Sequence, residues 1–280
     1  MTPAAQHLLD RALSHFPKAI PGALTQREVG EMRGLIDRIL AESQLEEPDK
    51  NWCPLSWCLN PDRPRFVDDV LSLFVQTKAF AVTRELLGDK IVLLLRHCIV
   101  RRRDVAVESD RSPWHLDADF MGADGEMLNL WIPLSDVGRG HPGLTLILDP
   151  TVVTGTWTHW QEWASEHWSI ETRNNANDLI SDGSLLAELA GGDLDSVAKT
   201  PVLRAGDGLL FNQVIPHRTQ DATESSGPRY SIELRIATAD RLPETYRAVP
   251  LETALVDVSG GAASMRFSLS DRLQSAAASA

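Results

Sequence analysis

The chain has 280 residues, enough for one large domain with a sizeable core. Its 43% hydrophobic and 24% charged residues are ordinary for a globular chain and exclude a mainly disordered protein or a coiled coil. With 27 basic against 39 acidic residues, the net charge of −12 repels nucleic acid and anionic membranes.

The N-terminal segment reads as helix. Apolar residues recur at helical spacing over 5–16, while Asp10, Arg11 and His15 break up any signal-peptide core. A second helix is predicted from Thr25, because Thr25 and Glu28 have the spacing of a capping box, and it runs through Met32, Leu35, Ile36 and Leu40. Pro48, Pro54, Pro61 and Pro64 mark an extended loop, and a third helix is expected over 67–87. Cys53, Cys58 and Cys98 lack zinc-knuckle spacing and read as buried, reduced thiols. No stretch approaches the roughly 18 apolar residues of a membrane span, so a cytoplasmic location is expected.

After Gly88 the pattern turns to strands. They are expected over 91–100, over 128–134 with Leu128, Leu130, Ile132 and Leu134 at period two, and over 144–148. An insert over 151–200 carries Trp157, Trp160, Trp163 and Trp168, with the first three spaced for one helix face and read as core. Strands resume near Val202, at 209–211 after Gly206-Asp207-Gly208, and at 230–237; the tail 275–280 reads as frayed. The expected fold is mainly β with a helical buttress, an α+β chain built on a jelly-roll, cupin-like double-stranded β-helix. The whole chain 1–280 reads as a single domain: buttress 1–90, jelly-roll core 91–240 with the insert 151–200, and C-terminal extension 241–280.

The chemistry concentrates at His115-Leu116-Asp117. On a strand, residues i and i+2 share a face, which would set His115 and Asp117 side by side as metal ligands. His217, just after Pro216 and the 209–211 strand, is the leading third ligand. Two imidazoles and one carboxylate are the ligand set of non-haem Fe(II) oxygenases. An H-x-D pair is by itself commonplace, so the discriminating feature lies beyond His217. Arg229 and Ser231 share one parity of the 230–237 strand with Glu233 and Arg235, and Thr219 adds a hydroxyl. Arg229 with these hydroxyls would form a fork for a carboxylate, and a dicarboxylate held there could reach the metal with its other end.

His115-x-Asp117, the run from Asn129 through Trp131 to Asp136, Gly143-Leu144, Gly206-Asp207-Gly208 before His217, and Pro228-Arg229 together resemble the phytanoyl-CoA dioxygenase family over about residues 90–240. The resemblance implies an Fe(II)/2-oxoglutarate-dependent dioxygenase that hydroxylates an unactivated C–H bond of a small molecule, consuming O2 and releasing succinate and CO2. It implies His115, Asp117 and His217 as iron ligands and Arg229, Thr219 and Ser231 as the 2-oxoglutarate site. Related halogenases carry a small residue where this chain has Asp117, so the carboxylate favours hydroxylation. The chain departs from the family at Leu148-Asp149-Pro150, where a Gly-Ser-His motif is common.

Asn129, Trp131, Arg101 and Arg103 are candidate substrate-binding residues, although the run Arg101-Arg102-Arg103 reads more readily as a solvated face. Asp119 reads as a surface or supporting acid, and His141 and His159 as non-ligands. Two other readings are a cupin-like metalloenzyme using the triad without 2-oxoglutarate and a non-catalytic ligand-binding jelly-roll. The oligomeric state and the nature of the small-molecule substrate are open.

Overall fold

A computed structural model describes residues 1–47, 49, 51–59, 66–103, 111–123, 125–168, 179–221, 228–239, 242, 253–258 and 264–268. The predicted tail and Pro48, Pro61 and Pro64 lie outside these residues.

Helix α1 (Pro3–His15) starts where the Thr2 side chain accepts from the Ala5 N–H, and buries Ala5, Leu8, Leu9 and Ala12. Strand β1 (Lys18–Ile20) follows. Helix α2 (Gln26–Gln44) opens with the full Thr25/Glu28 capping box. Beyond β2 (Trp52–Pro54), the predicted third helix is two, α3 (Phe66–Phe74) and α4 (Lys78–Leu87). The break is local: Thr77 caps α4 by accepting from the Phe80 N–H, so the chain restarts a helix there. The predicted strand 91–100 is likewise two, β3 (Lys90–Leu94) and β4 (Ile99–Arg103), separated by a turn in which His97 and Cys98 donate to Leu94 O.

The remaining elements are α5 (Ala118–Met121), β5 (Met127–Pro133), β6 (Leu144–Ile147), α6 (Pro150–His167), α7 (Ser184–Leu189), α8 (Leu194–Val197), β7 (Ala198–Lys199), β8 (Gly208–Asn212), β9 (His217–Thr219), β10 (Arg229–Thr238), β11 (Thr253–Asp257) and β12 (Ser264–Ser268). The strand expected near Val202 is only an isolated bridge between Leu203 and Val137. The departure at 148–150 has a physical reason: Asp149 caps α6, accepting from the Thr151 and Val152 N–H groups, with Pro150 in the first turn.

These strands make two antiparallel sheets of a jelly-roll. The larger runs β1-β8-β5-β10-β3-β11-β12, with β4 also paired to β10 and β2 to β4; the smaller is β7-β6-β9. Strand β10 is its centre, pairing with β5 over 231–237 on one side and with β4 and β3 on the other. So β1 and β2, from the segment read mostly as helical buttress with an extended loop, and β11 and β12, from the C-terminal extension, belong to the main sheet.

All seven residues of β5 are buried, because Leu128, Leu130 and Ile132 enter the apolar core while Asn129 and Trp131 line a cavity between the sheets. Gly206 sets the turn into β8. Its φ of +92° is a left-handed value, and a Cβ there would sit 2.7 Å from Leu24 O. Among the described residues no helix is long and apolar enough to cross a membrane.

Candidate functional site

The cavity between the sheets has a volume of about 200 Å³ and is walled by β4, β5, β6, β9 and β10. Three predicted ligands meet at its edge. His115 and His217 exchange backbone hydrogen bonds, 3.0 Å from His115 N to His217 O and 3.1 Å in return. Their rings lie with centroids 4.1 Å apart. Asp117 follows two residues on, though not on a strand: only His115 is bridged, and Asp117 stands at the N-terminus of α5. The turn into α5, rather than strand parity, brings the carboxylate to the imidazoles. One donor atom from each of His115, Asp117 and His217 lies within 4.8 Å of the other two, and His217 Nε2 is 4.0 Å from Asp117 Oδ1. A metal about 2.1 Å from three donors on one face needs them about 3 Å apart, so side-chain rotations that draw the donors inward complete the set.

The protonation states suit a cation. His115 Nδ1 lies 2.8 Å from Pro113 O and His217 Nδ1 3.0 Å from Ile215 O. A carbonyl only accepts, so each Nδ1 carries the proton and each Nε2 offers its lone pair. Burial, reinforced by the neighbouring imidazole, pushes His115 down to about 3, and burial lowers His217 as well. Burial alone would raise the Asp117 carboxyl, but the Arg235 guanidinium and the two imidazoles outweigh it and hold it at about 2. The donor set is therefore two neutral imidazoles and one carboxylate, which fits a divalent transition metal.

Arg229, Thr219 and Trp131 line the same cavity. Arg229 is buried, donates from Nη1 to Pro142 O at 2.9 Å, and sits with its guanidinium 5.8 Å from the centroid of the Trp131 ring. Thr219 Oγ1 accepts from the Ser112 N–H at 3.0 Å. Ser231 is fully buried but does not form part of the cavity wall. Trp131 Nε1 and Ser231 Oγ are buried polar atoms without a hydrogen-bond partner among the described residues. A buried cation beside an unsatisfied indole N–H is an environment that fits a carboxylate.

The cavity floor holds a charge ladder that the residue pattern alone did not assign. Arg101 donates to Glu233 through Nε at 2.6 Å and Nη2 at 3.2 Å. Arg235 donates from Nη1 to Glu233 Oε2 at 2.8 Å and from Nη2 to Asp117 Oδ1 at 2.9 Å. Burial opposes ionisation of Glu233, but the Arg101 and Arg235 cations prevail and its carboxyl falls well below the usual range. The signal was present in the shared parity of 229, 231, 233 and 235, which points Arg229, Glu233 and Arg235 into the cavity.

The arginine run is therefore no solvated face: Arg101 and Arg103 line the cavity, and Arg102, on the opposite parity, pairs with Asp37 at 3.1 Å. Asn129 donates from Nδ2 to Asp117 Oδ2 at 2.9 Å. His97, Ile99 and Phe120, also absent from the sequence-derived site, complete the wall, with the His97 and Phe120 rings 6.2 Å apart.

Asp119 is neither a surface acid nor part of the triad. It is 1% exposed, accepts from the Trp160 indole N–H at 2.5 Å, and burial pushes its carboxyl up to about 7. Trp168 Nε1 donates to Asp119 O at 3.2 Å, and Trp157 stacks on Trp160 with centroids 5.0 Å apart. These tryptophans buttress the turn that carries Asp117.

No family model and no curated protein matches the chain. Solved structures do share its fold. The non-heme alpha ketoglutarate dependent epimerase SnoN from nogalamycin biosynthesis is 17% identical, with a TM-score of 0.51 over 91% of this chain and 86% of that one. The non-heme monooxygenase ThoJ is 14% identical, with a TM-score of 0.55 over 97% and 92%. HygX from Streptomyces hygroscopicus, with nickel and 2-oxoglutarate bound, is 16% identical, with a TM-score of 0.50 over 85% and 88%. At this identity the likeness is one of fold.

Proposed function

We propose that this chain is an Fe(II)- and 2-oxoglutarate-dependent dioxygenase of the phytanoyl-CoA dioxygenase type, a cytoplasmic hydroxylase of a small-molecule C–H bond. The observation that carries the reading is the meeting of the His115, Asp117 and His217 donors at the edge of the cavity that the buried Arg229 guanidinium lines. The fold neighbours SnoN and HygX, whose structures contain alpha ketoglutarate with iron or nickel, support it.

His115, Asp117 and His217 hold the iron, and Arg229 pairs with the distal carboxylate of 2-oxoglutarate. Thr219 and the Trp131 indole N–H assist, the latter a buried group without a hydrogen-bond partner among the described residues, while Ser231 lies outside the cavity wall. When bound, iron and 2-oxoglutarate supply an oxidant for an unactivated C–H bond, consuming O2 and releasing succinate and CO2. The protein's work is positional. The two Nδ1 bonds to Pro113 O and Ile215 O aim the imidazoles, and Arg229 aligns the keto acid. Asp117 fills with a carboxylate the position a halide would need, which favours hydroxylation. Ile99, Phe120 and Leu144 give the remaining wall an apolar surface for the substrate and exclude water.

The test is succinate release from 2-oxoglutarate with Fe(II) and ascorbate. Losing a charge-assisted anchor costs about 2–3 kcal/mol, so Arg229→Ala should weaken 2-oxoglutarate binding roughly 30- to 150-fold. Wild-type succinate release and 2-oxoglutarate affinity in a folded Arg229→Ala protein would refute the cosubstrate assignment.

A further inference from the structure

Asp117 is the member of the triad with a side-chain donor on each oxygen. Arg235 Nη2 binds Oδ1 at 2.9 Å and Asn129 Nδ2 binds Oδ2 at 2.9 Å. Arg235 cannot swing away cheaply, because Glu233 grips its other nitrogen at 2.8 Å and Arg101 grips Glu233 in turn. The arrangement is buried, with Asp117 fully enclosed and Arg235 6% exposed.

A guanidinium in contact with a metal-ligating carboxylate is costly for metal binding: it repels the divalent ion and draws charge from the donor oxygen. Two gains offset that cost. Without metal, the buried carboxylate needs a cation, and Arg235 supplies one. With metal, donors on both oxygens fix the plane of the carboxylate, so Asp117 cannot rotate to present both oxygens equally to the ion.

Taking the triad as the metal site, we propose that Arg235 is a positioning residue that makes Asp117 a one-oxygen ligand, lowering metal affinity while keeping coordination positions free for 2-oxoglutarate. Glu233 and Arg101 serve as its clamp. Loss of Arg235 leaves Asp117 free to chelate the metal with both oxygens, so metal binding tightens and 2-oxoglutarate, which needs two positions, binds less well. A residue that merely supports packing would weaken both or change neither.

The experiment titrates metal-free protein with Mn(II), then the Mn(II)-loaded protein with 2-oxoglutarate, using wild type, Arg235→Gln and Arg235→Lys. In Arg235→Gln the Mn(II) Kd should fall about tenfold and the 2-oxoglutarate Kd rise about tenfold, a size typical for groups one shell beyond the metal. Arg235→Lys keeps the buried cation but not the two-pronged grip, so it serves if the glutamine variant does not fold. It should move both constants in the same directions by about threefold. Unchanged or weaker Mn(II) binding in the folded variants, or unchanged 2-oxoglutarate binding, would overturn the role of Arg235 alone. Wild-type protein that takes up no Mn(II), or takes it up equally with His115→Ala, would bring down the metal-site reading on which the inference rests.

Discussion

His115 and His217 face each other across a reciprocal pair of backbone hydrogen bonds of 3.0 and 3.1 Å. This pairing joins two distant segments and sets both imidazoles before any metal arrives. Replacing either ring with alanine removes a ligand while leaving the backbone bonds intact. His115→Ala and His217→Ala should each cut Fe(II) or Mn(II) affinity by more than about 100-fold, as read by calorimetric titration of folded protein.

Asp117 also has a structural duty. Asp117→Ala would leave the buried Arg235 with Glu233 as its remaining acid. Stranding one member of a buried pair typically costs about 3–5 kcal/mol, and with Glu233 still present a loss of about 3 kcal/mol is expected. Urea denaturation of metal-free protein measures it.

The pH dependence rests on His115, held at about 3 in the fold against 6.5 in an unfolded chain. Between these values the unfolded chain takes up a proton that the folded chain does not, so this contribution to stability is full above 6.5 and is lost as pH falls toward 3. Asp119 runs the other way: raised to about 7 from 3.8, it costs stability as pH rises through that interval. The two separate by difference. Metal-free His115→Leu should lose less stability than wild type on acidification below 6.5, and Asp119→Asn should gain on wild type as pH rises from about 4 toward 7. Parallel pH curves for wild type and both variants would contradict the assignment.

Trp160→Phe keeps most of the stacking on Trp157 but removes the indole N–H that faces Asp119. A buried acceptor left short of a donor costs about 1–3 kcal/mol. Thermal unfolding should show that loss, and metal affinity should fall as well, because the turn carrying Asp117 loses its brace.

Gly206→Ala would place a Cβ against Leu24 O at 2.7 Å on a backbone with φ of +92°. Strain and overlap together should cost about 2–4 kcal/mol in chemical denaturation.

What the amino-acid sequence determined by itself was local or compositional. The capping box of Thr25 and Glu28 is closed within one helical turn, and it appears as read. Proximity of His115 and Asp117 needed only two residues of chain, and Arg229, Glu233 and Arg235 share a cavity because strand parity is itself a local property. The jelly-roll was legible from short strands with turn signals between them, the candidate His217 from its place after the Gly206-Asp207-Gly208 turn, and the candidate Arg229 from its place at the start of the strand beyond His217.

The tertiary structure alone decided who faces whom. Arg101 meets Glu233 because β4 and β10 pair in a register that sets Arg101 opposite Ser231 and Glu233 opposite Ile99. A slip of one residue would turn Arg101 away and Arg102 inward. Asp119 became a brace for the metal turn through Trp160, 41 positions along the chain. Such contacts join residues far apart in sequence and are stabilised by burial, and neither the register nor the burial is written in any local window of the chain.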